Sequence, residues 1–143
     1  APNLDLLKGY GNALVREKIV AAASKRLVIL VGPERAAEKV VPALGARGKL
    51  PVEVVGFALP LVAQQLAAMG YPAEPLRTAA GDVFLSDNGN PILHARVGPI
   101  GDPAALDRAL HAVPGVVDTG LFLGMAERVL LQHEDGRLDE RVR

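Results

Sequence analysis

The chain has 143 residues, enough for one domain or two small ones. Sixteen basic and sixteen acidic residues cancel, so no net field draws in nucleic acid or an anionic membrane. Cysteine is absent, which excludes disulfides, thiolate zinc sites and a cysteine nucleophile.

Half of the residues are hydrophobic but only 3% are aromatic, so a core has to come from Val, Leu, Ile and Ala. No run approaches the roughly eighteen apolar residues of a membrane helix, and the start lacks the basic region and apolar run of a signal peptide. A soluble cytoplasmic protein is the expectation.

Residues 1–7 read as a turn leading to a short apolar segment. A glycine-bracketed loop, Lys8-Gly9-Tyr10-Gly11, then runs into a helix expected over 12–24. Val15, Ile19, Ala22 and Ala23 cover one side of that helix, and Ala13, Leu14, Val20 and Ala21 much of the other. A helix apolar nearly all round is expected to be buried. Lys25-Arg26 supplies a basic helix end that suits the macrodipole. Leu27–Val31 is a continuous aliphatic run ended by Gly32-Pro33, the pattern of a strand buried on both faces in a parallel sheet.

Residues 36–50 look like a linker, with Leu44-Gly45 closing a short helical piece. Val52–Val55 reads as a strand and Leu59–Met69 as a helix closed by Gly70, with Pro60 in its first turn. Strands at 83–86 and 92–95 are expected to flank the hairpin turn Asp87-Asn88-Gly89-Asn90. Asp102 reads as an N-cap with Pro103 at N1, and Leu106, Ala109 and Leu110 form the apolar stripe of that helix. Val116–Gly120 is strand-like. The order β-α-β-β-α-β over 52–120 is that of a ferredoxin-like split βαβ unit. Val129–Leu131 reads as a last strand returning to the first sheet, and the charged tail 135–143 as frayed. The fold class expected is α/β: part of a Rossmann-like doubly wound domain (1–48, with 124–143 returning to it) plus a smaller ferredoxin-like α+β domain (49–123).

The chemistry concentrates in the first loop and helix. Glycines let backbone approach a ligand, and a helix N-terminus offers unpaired N–H groups to an anion. Glu17 has Ala13, Leu14, Val20 and Ala21 as its i±3 and i±4 neighbours, an apolar collar that makes a carboxylate a better base. The plainer alternative is a helix carboxylate paired with a nearby lysine or arginine. His94, His111 and His133 are scattered without metal-ligand spacing. Asp102 and Asp118 read as cap and strand-end residues, and the 87–90 turn as a turn, exposed enough for a subunit contact. Basic residues form no stripe interleaved with aromatics, so nucleic-acid binding has little support.

Lys8-Gly-Tyr-Gly-Asn-Ala-Leu-Val-Arg-Glu17-Lys-Ile-Val resembles the K-G-x-G-x-A-L-x-R-E-K-I-V signature of ribose-5-phosphate isomerase, type A. The resemblance continues through Leu50-Pro51-Val52-Glu53-Val54, Ser86-Asp87-Asn88-Gly89-Asn90, Ile100-Gly101-Asp102-Pro103 and Pro114-Gly115-Val116-Val117, and ends at Thr119-Gly120-Leu121-Phe122. It implies interconversion of ribose 5-phosphate and ribulose 5-phosphate in the pentose phosphate pathway, without metal or organic cofactor, by a homodimer or larger assembly. It assigns Glu17 as the base that moves a proton between C1 and C2 through an enediolate. Lys8 would contact substrate and stabilise developing negative charge, and Gly9, Tyr10 and Gly11 would bind substrate.

Three departures stand out. Tyr10 occupies a usual glycine position, so the loop is bulkier or the tyrosine points outward. Gly32-Pro33-Glu34-Arg35 replaces the family's D-x-S-K, placing Arg35 where a substrate-contacting lysine is expected and keeping charge but not geometry. The family's phosphate-binding G-x-G-S/T loop and D-G-A-D-E segment are expected before Ala1, so the chain reads as a C-terminal portion, inactive alone. The runner-up expectations are a non-catalytic oligomerisation or ligand-sensing module, and another sugar-phosphate-binding protein that keeps this half of the fold.

Overall fold

A computed structural model describes residues 1–35 and 40–143, the Arg35 side chain excepted. In chain order the elements are β1 (Leu6–Leu7), α1 (Leu14–Ala23), β2 (Val28–Val31), β3 (Lys49–Val54), α2 (Leu59–Ala68), β4 (Ala73–Pro75), β5 (Ile92–Arg96), α3 (Pro103–His111), β6 (Val116–Thr119), β7 (Leu121–Phe122), β8 (Arg128–Gln132) and β9 (Leu138–Val142). Short 3₁₀ turns follow β2 at Pro33–Arg35 and β3 at Gly56–Ala58.

The strands form a four-stranded sheet ordered β4-β5-β3-β6, a three-stranded sheet β2-β8-β9, and a small β1-β7 pair. Every pairing in the four-stranded sheet is antiparallel. With β3, β4, β5 and β6 as its first to fourth strands, it has the 4-1-3-2 order of a ferredoxin-like split βαβ unit, so the expected architecture is present. In the other sheet β2 runs parallel to β8, the α/β element of the fold.

Helix chemistry places α2 and α3 on one face of the larger sheet. Val62 and Leu66, and Leu106 and Leu110, are i,i+4 pairs on their helices and are buried. They pack with Leu50, Val52 and Val54, alternate residues of β3. Asp102 caps α3, its Oδ1 accepting from the Ala105 N–H at 2.9 Å. A second core joins Leu4, Val31, Ala126, Val129 and Leu131.

Several expectations are corrected. α1 does not start until Leu14, because Asn12 adopts a left-handed φ of 67° and its N–H closes a turn onto the Gly9 carbonyl. The helix is not buried all round: Leu14 and Ala21 face inward, while Ile19 and Val20 are 61% and 65% exposed. Two basic tethers, described below, decide which apolar sector turns inward. Nor does the last turn carry a basic residue; Arg26 lies beyond it and pairs with Glu127. β2 is an edge strand and is buried on one face only, with Leu30 74% exposed. β3 starts at Lys49, inside the expected linker, whose residues 36–39 lie outside those described; residues 40–48 hold no helix. The partner of β5 is Ala73–Pro75 and not 83–86, which contributes single bridges at Val83 and Leu85. The 87–90 turn does form, with the Gly89 N–H bonded to the Ser86 carbonyl at 2.8 Å. The tail is not frayed: β9 pairs with β8 through five registered residues.

Asp5 ties the first segment to the end of the chain, accepting from the Gly124 N–H at 2.8 Å and from Arg143 at 3.1 Å. Burial pushes its pKa up, but the Gly124 bond and the Arg143 and Asn3 donors outweigh that and hold it below the ordinary 3.8. A carboxylate with a lowered folded pKa stabilises the fold above its unfolded pKa, and this contribution is lost as pH falls through the folded value. Asp5→Asn is therefore expected to destabilise the protein at about pH 6, by an amount that shrinks as pH falls through that lowered pKa. Urea melts across a pH series check it; a stability gap unchanged by pH would contradict the coupling.

Candidate active site

Lys8 directly follows β1, and its N–H donates to the Gly120 carbonyl at 2.8 Å, pinning the start of the loop to the β6–β7 junction. The chain then turns sharply. Gly9 has φ 94°, and a Cβ there would sit 2.6 Å from Leu14 Cβ, so a side chain would drive α1 off the loop. Gly11 has no such crowding. The turn brings α1 back so that Glu17, in its first turn, faces Lys8.

Lys8 Nζ and Glu17 Oε2 form an ion pair at 3.0 Å, and the two side chains are 34% and 35% exposed. The carboxylate is thus held against an ammonium, and the expected apolar collar does not describe its surroundings. The i±3 and i±4 rule named the neighbours on the helix but missed the loop that folds over it. Both groups line a cavity of about 710 Å³ together with Gly9, Tyr10 and Gly11. Arg47, Lys49 and the Leu30 side of β2 complete much of its wall. Five of the six expected site residues therefore converge; the side chain of the sixth, Arg35, lies outside the described residues.

Tyr10 is 38% exposed, yet its polar tip and its ring are both engaged. Its hydroxyl donates to the Lys49 carbonyl at 2.7 Å, and the Arg47 guanidinium and the Lys49 ammonium lie 5.7 and 5.6 Å from its ring centre. Partial burial raises the phenol's pKa, opposed by the Arg47 charge. The substituted loop thereby packs its tyrosine against two cationic residues that line the same cavity.

Beneath the site, Phe122 is fully buried and carries two lysines on its ring. Lys8 Nζ is 5.7 Å and Lys18 Nζ 5.0 Å from its centre. Lys18 also donates to Asp118 Oδ1 and, at 2.8 Å, to the Thr119 carbonyl. Asp118 is more than a strand end, since it anchors the residue next to Glu17. These roles need contacts a hundred positions apart, and the Thr119-Gly120-Leu121-Phe122 motif was their one sequence signal. Among the described residues no group of His, Asp and Glu could hold a metal ion, and no helix is long and apolar enough to cross a membrane.

Lys8 in the loop, Glu17 in the first turn of α1 and the Arg47 and Lys49 residues beside Tyr10 thus line one cavity in an α/β frame. Residues 1–136 match the sequence profile of ribose 5-phosphate isomerase A (phosphoriboisomerase A). The chain is 49% identical over 133 residues to the ribose-5-phosphate isomerase A of Gloeobacter violaceus, covering 93% of this chain and 56% of that one. It is also 49% identical to that of Thermomicrobium roseum, covering 99% and 58%. Among solved structures, a D-ribose-5-phosphate isomerase in complex with phospho-erythronic acid superposes with a TM-score of 0.89 at 32% identity, over 99% of this chain and 60% of that one. The enzyme of Methanocaldococcus jannaschii gives 0.87 at 30%, with the same coverage. This chain belongs to the ribose 5-phosphate isomerase A family and spans somewhat over half the length of these relatives.

Proposed function

We propose that the full-length protein is an aldose–ketose isomerase that interconverts ribose 5-phosphate and ribulose 5-phosphate in the pentose phosphate pathway. The observation that carries this reading is the ammonium–carboxylate pair of Lys8 and Glu17 on the wall of one cavity. With the open-chain aldose in place, the Lys8 ammonium turns from Glu17 to the sugar's O1. The freed carboxylate takes the proton from C2, and the electron pair moves onto O1, where Lys8 stabilises the enediolate. Return of that proton to C1, with transfer of the O2 proton to O1, gives the ketose. Gly9, Tyr10 and Gly11 bind substrate along the loop, and the family resemblance adds Arg35 to the substrate-binding residues.

The same reading takes residues 1–48 with 124–143 as one unit and 49–123 as the other; the two cores follow that division except at Leu44, and at Ala1 and Leu7, which pack with the larger one. It places the enzyme in the cytoplasm as a homodimer or larger assembly that needs no metal or organic cofactor, as the family resemblance suggests. The ligand of the solved relative, a phosphorylated sugar acid by its name, is of the same chemical class as the proposed substrate.

The test is turnover of ribose 5-phosphate by the full-length protein in D₂O. Ribulose 5-phosphate should form with deuterium at C1 in part of the product, because a protonated carboxyl exchanges with solvent between the two transfers. Failure to form any ketose would sink the reading.

A further inference from the structure

Glu53 is the one carboxylate in the described residues that is completely buried, and the proton transfer does not use it. It sits on β3, on the face opposite Leu50, Val52 and Val54. Its Oε1 accepts from the side-chain amides of both Asn88 and Asn90, each at 3.0 Å, while Oε2 has no hydrogen-bond partner among the described residues. The exposed turn over the sheet is therefore fastened from below by a buried group.

The upper side of that turn holds α1. Arg16 Nε donates to Asn88 Oδ1 at 3.0 Å and Nη2 to the Asp87 carbonyl at 2.7 Å, with the Asp87 carboxylate 3.7 Å from Nη1. Asn88 thus uses both ends of its amide, one toward Glu53 and one toward Arg16. Two residues along α1, Lys18 is held by Asp118, and Asp118 faces Glu53 across the β3–β6 pairing. Glu17 stands between Arg16, tethered through the turn to Glu53 on β3, and Lys18, tethered to Asp118 on the neighbouring β6.

We propose, resting on the assignment of Glu17 as the base, that Glu53 is a positioning residue. Through the Asn88 amide and the Arg16 guanidinium it fixes the first turn of α1, and with it the Glu17 carboxylate. Exposed contacts such as those of Arg16 contribute little to stability. A reacting group displaced by about 1 Å, however, loses up to about a hundredfold in rate. The relay is therefore read in kcat more than in folding.

Asn88 and Asn90 separate positioning from stability, because both bind Glu53 but only Asn88 reaches Arg16. In the full-length protein, Asn88→Ala is expected to lower kcat about tenfold with KM within about twofold. Arg16→Gln, which cuts the same link from the helix, should reproduce that loss, and Asn90→Ala should keep kcat within about twofold of wild type. Glu53→Leu should resemble Asn88→Ala, and Glu53→Gln, which still offers an oxygen to both amides, should restore most of the rate. In a Glu17→Gln background Asn88→Ala should lower turnover no further. Equal kcat losses in the two asparagine variants, a near-wild-type Asn88→Ala, or an undiminished loss on top of Glu17→Gln would each overturn the relay. Wild-type turnover in Glu17→Gln alone would remove the base assignment, and the relay with it.

Discussion

Glu17→Gln in the full-length protein is expected to lower turnover by about two to four orders of magnitude while leaving the fold intact. By the rule of about 1.4 kcal/mol per tenfold, this is some 3–5 kcal/mol of transition-state stabilisation. The structural cost is far smaller. The Lys8–Glu17 pair is about one-third exposed on each side, and such pairs contribute no more than about 1 kcal/mol to stability. The two roles therefore predict different outcomes. If Glu17 only closes an ion pair over the loop, glutamine costs a fraction of a kcal/mol and turnover stays near wild type. If Glu17 carries the proton, melting barely moves and the rate collapses. Parallel kcat measurements and urea melts decide between them, and near-wild-type turnover in a folded variant would exclude Glu17 as the base.

Phe122→Ala is expected to be the most destabilising single change near the site, at about 3–5 kcal/mol. Phe122 is fully buried, and aromatic residues are scarce in this chain, so little nearby can expand into the space it leaves. Its ring also lies under both Lys8 and Lys18. Phe122→Leu separates these contributions, since it fills most of the cavity but removes the aromatic face. It is expected to cost about 1–2 kcal/mol of stability and to weaken the lysines' seating by the roughly 0.5–2 kcal/mol of a cation–π contact. Urea denaturation of the two variants measures the first effect, and kcat/KM of the leucine variant the second. An alanine variant within about 1 kcal/mol of wild type would contradict this account of the packing.

Much of this was legible in the sequence, for local reasons. Lys8, Gly9 and Glu17 lie within one loop and the first helical turn after it, so spacing alone brings them together. The split βαβ order of the larger sheet followed from its turn and cap residues: Gly70 after α2, Asp102-Pro103 before α3, Pro114-Gly115 before β6. What stayed hidden depended on distant contacts. Periodicity could not orient α1, because two of its sectors are apolar; Arg16 and Lys18, bonded to Asn88 and Asp118, decide the matter. The second strand of the larger sheet was misplaced because Ala73-Glu74-Pro75 has no β-branched residue, whereas Val83–Ser86 looks like a strand. Glu53 drew no role from its place in the strand 52–55, because the Asn88 and Asn90 amides that bind it lie 35 and 37 positions later.

The parallel pairing of β2 with β8 also bears on how the molecule assembles. Val28 lies opposite Arg128, roughly a hundred positions later, and the whole four-stranded sheet is threaded between them. Closing so long a loop from an open chain carries an entropic penalty that grows with the logarithm of its length. Forming the β3–β6 unit first draws the two flanks together, because that compact body replaces most of the intervening floppy chain. The order of events follows: the inserted sheet and its two helices collapse early, and the β2–β8 seam closes last. Pulse-labelling of amides during refolding would then protect Val52 and Leu93 before Ile29 and Leu130. The Lys8–Gly11 loop, pinned to Gly120 at one end and leading through α1 into β2 at the other, would take its final place only with that closure.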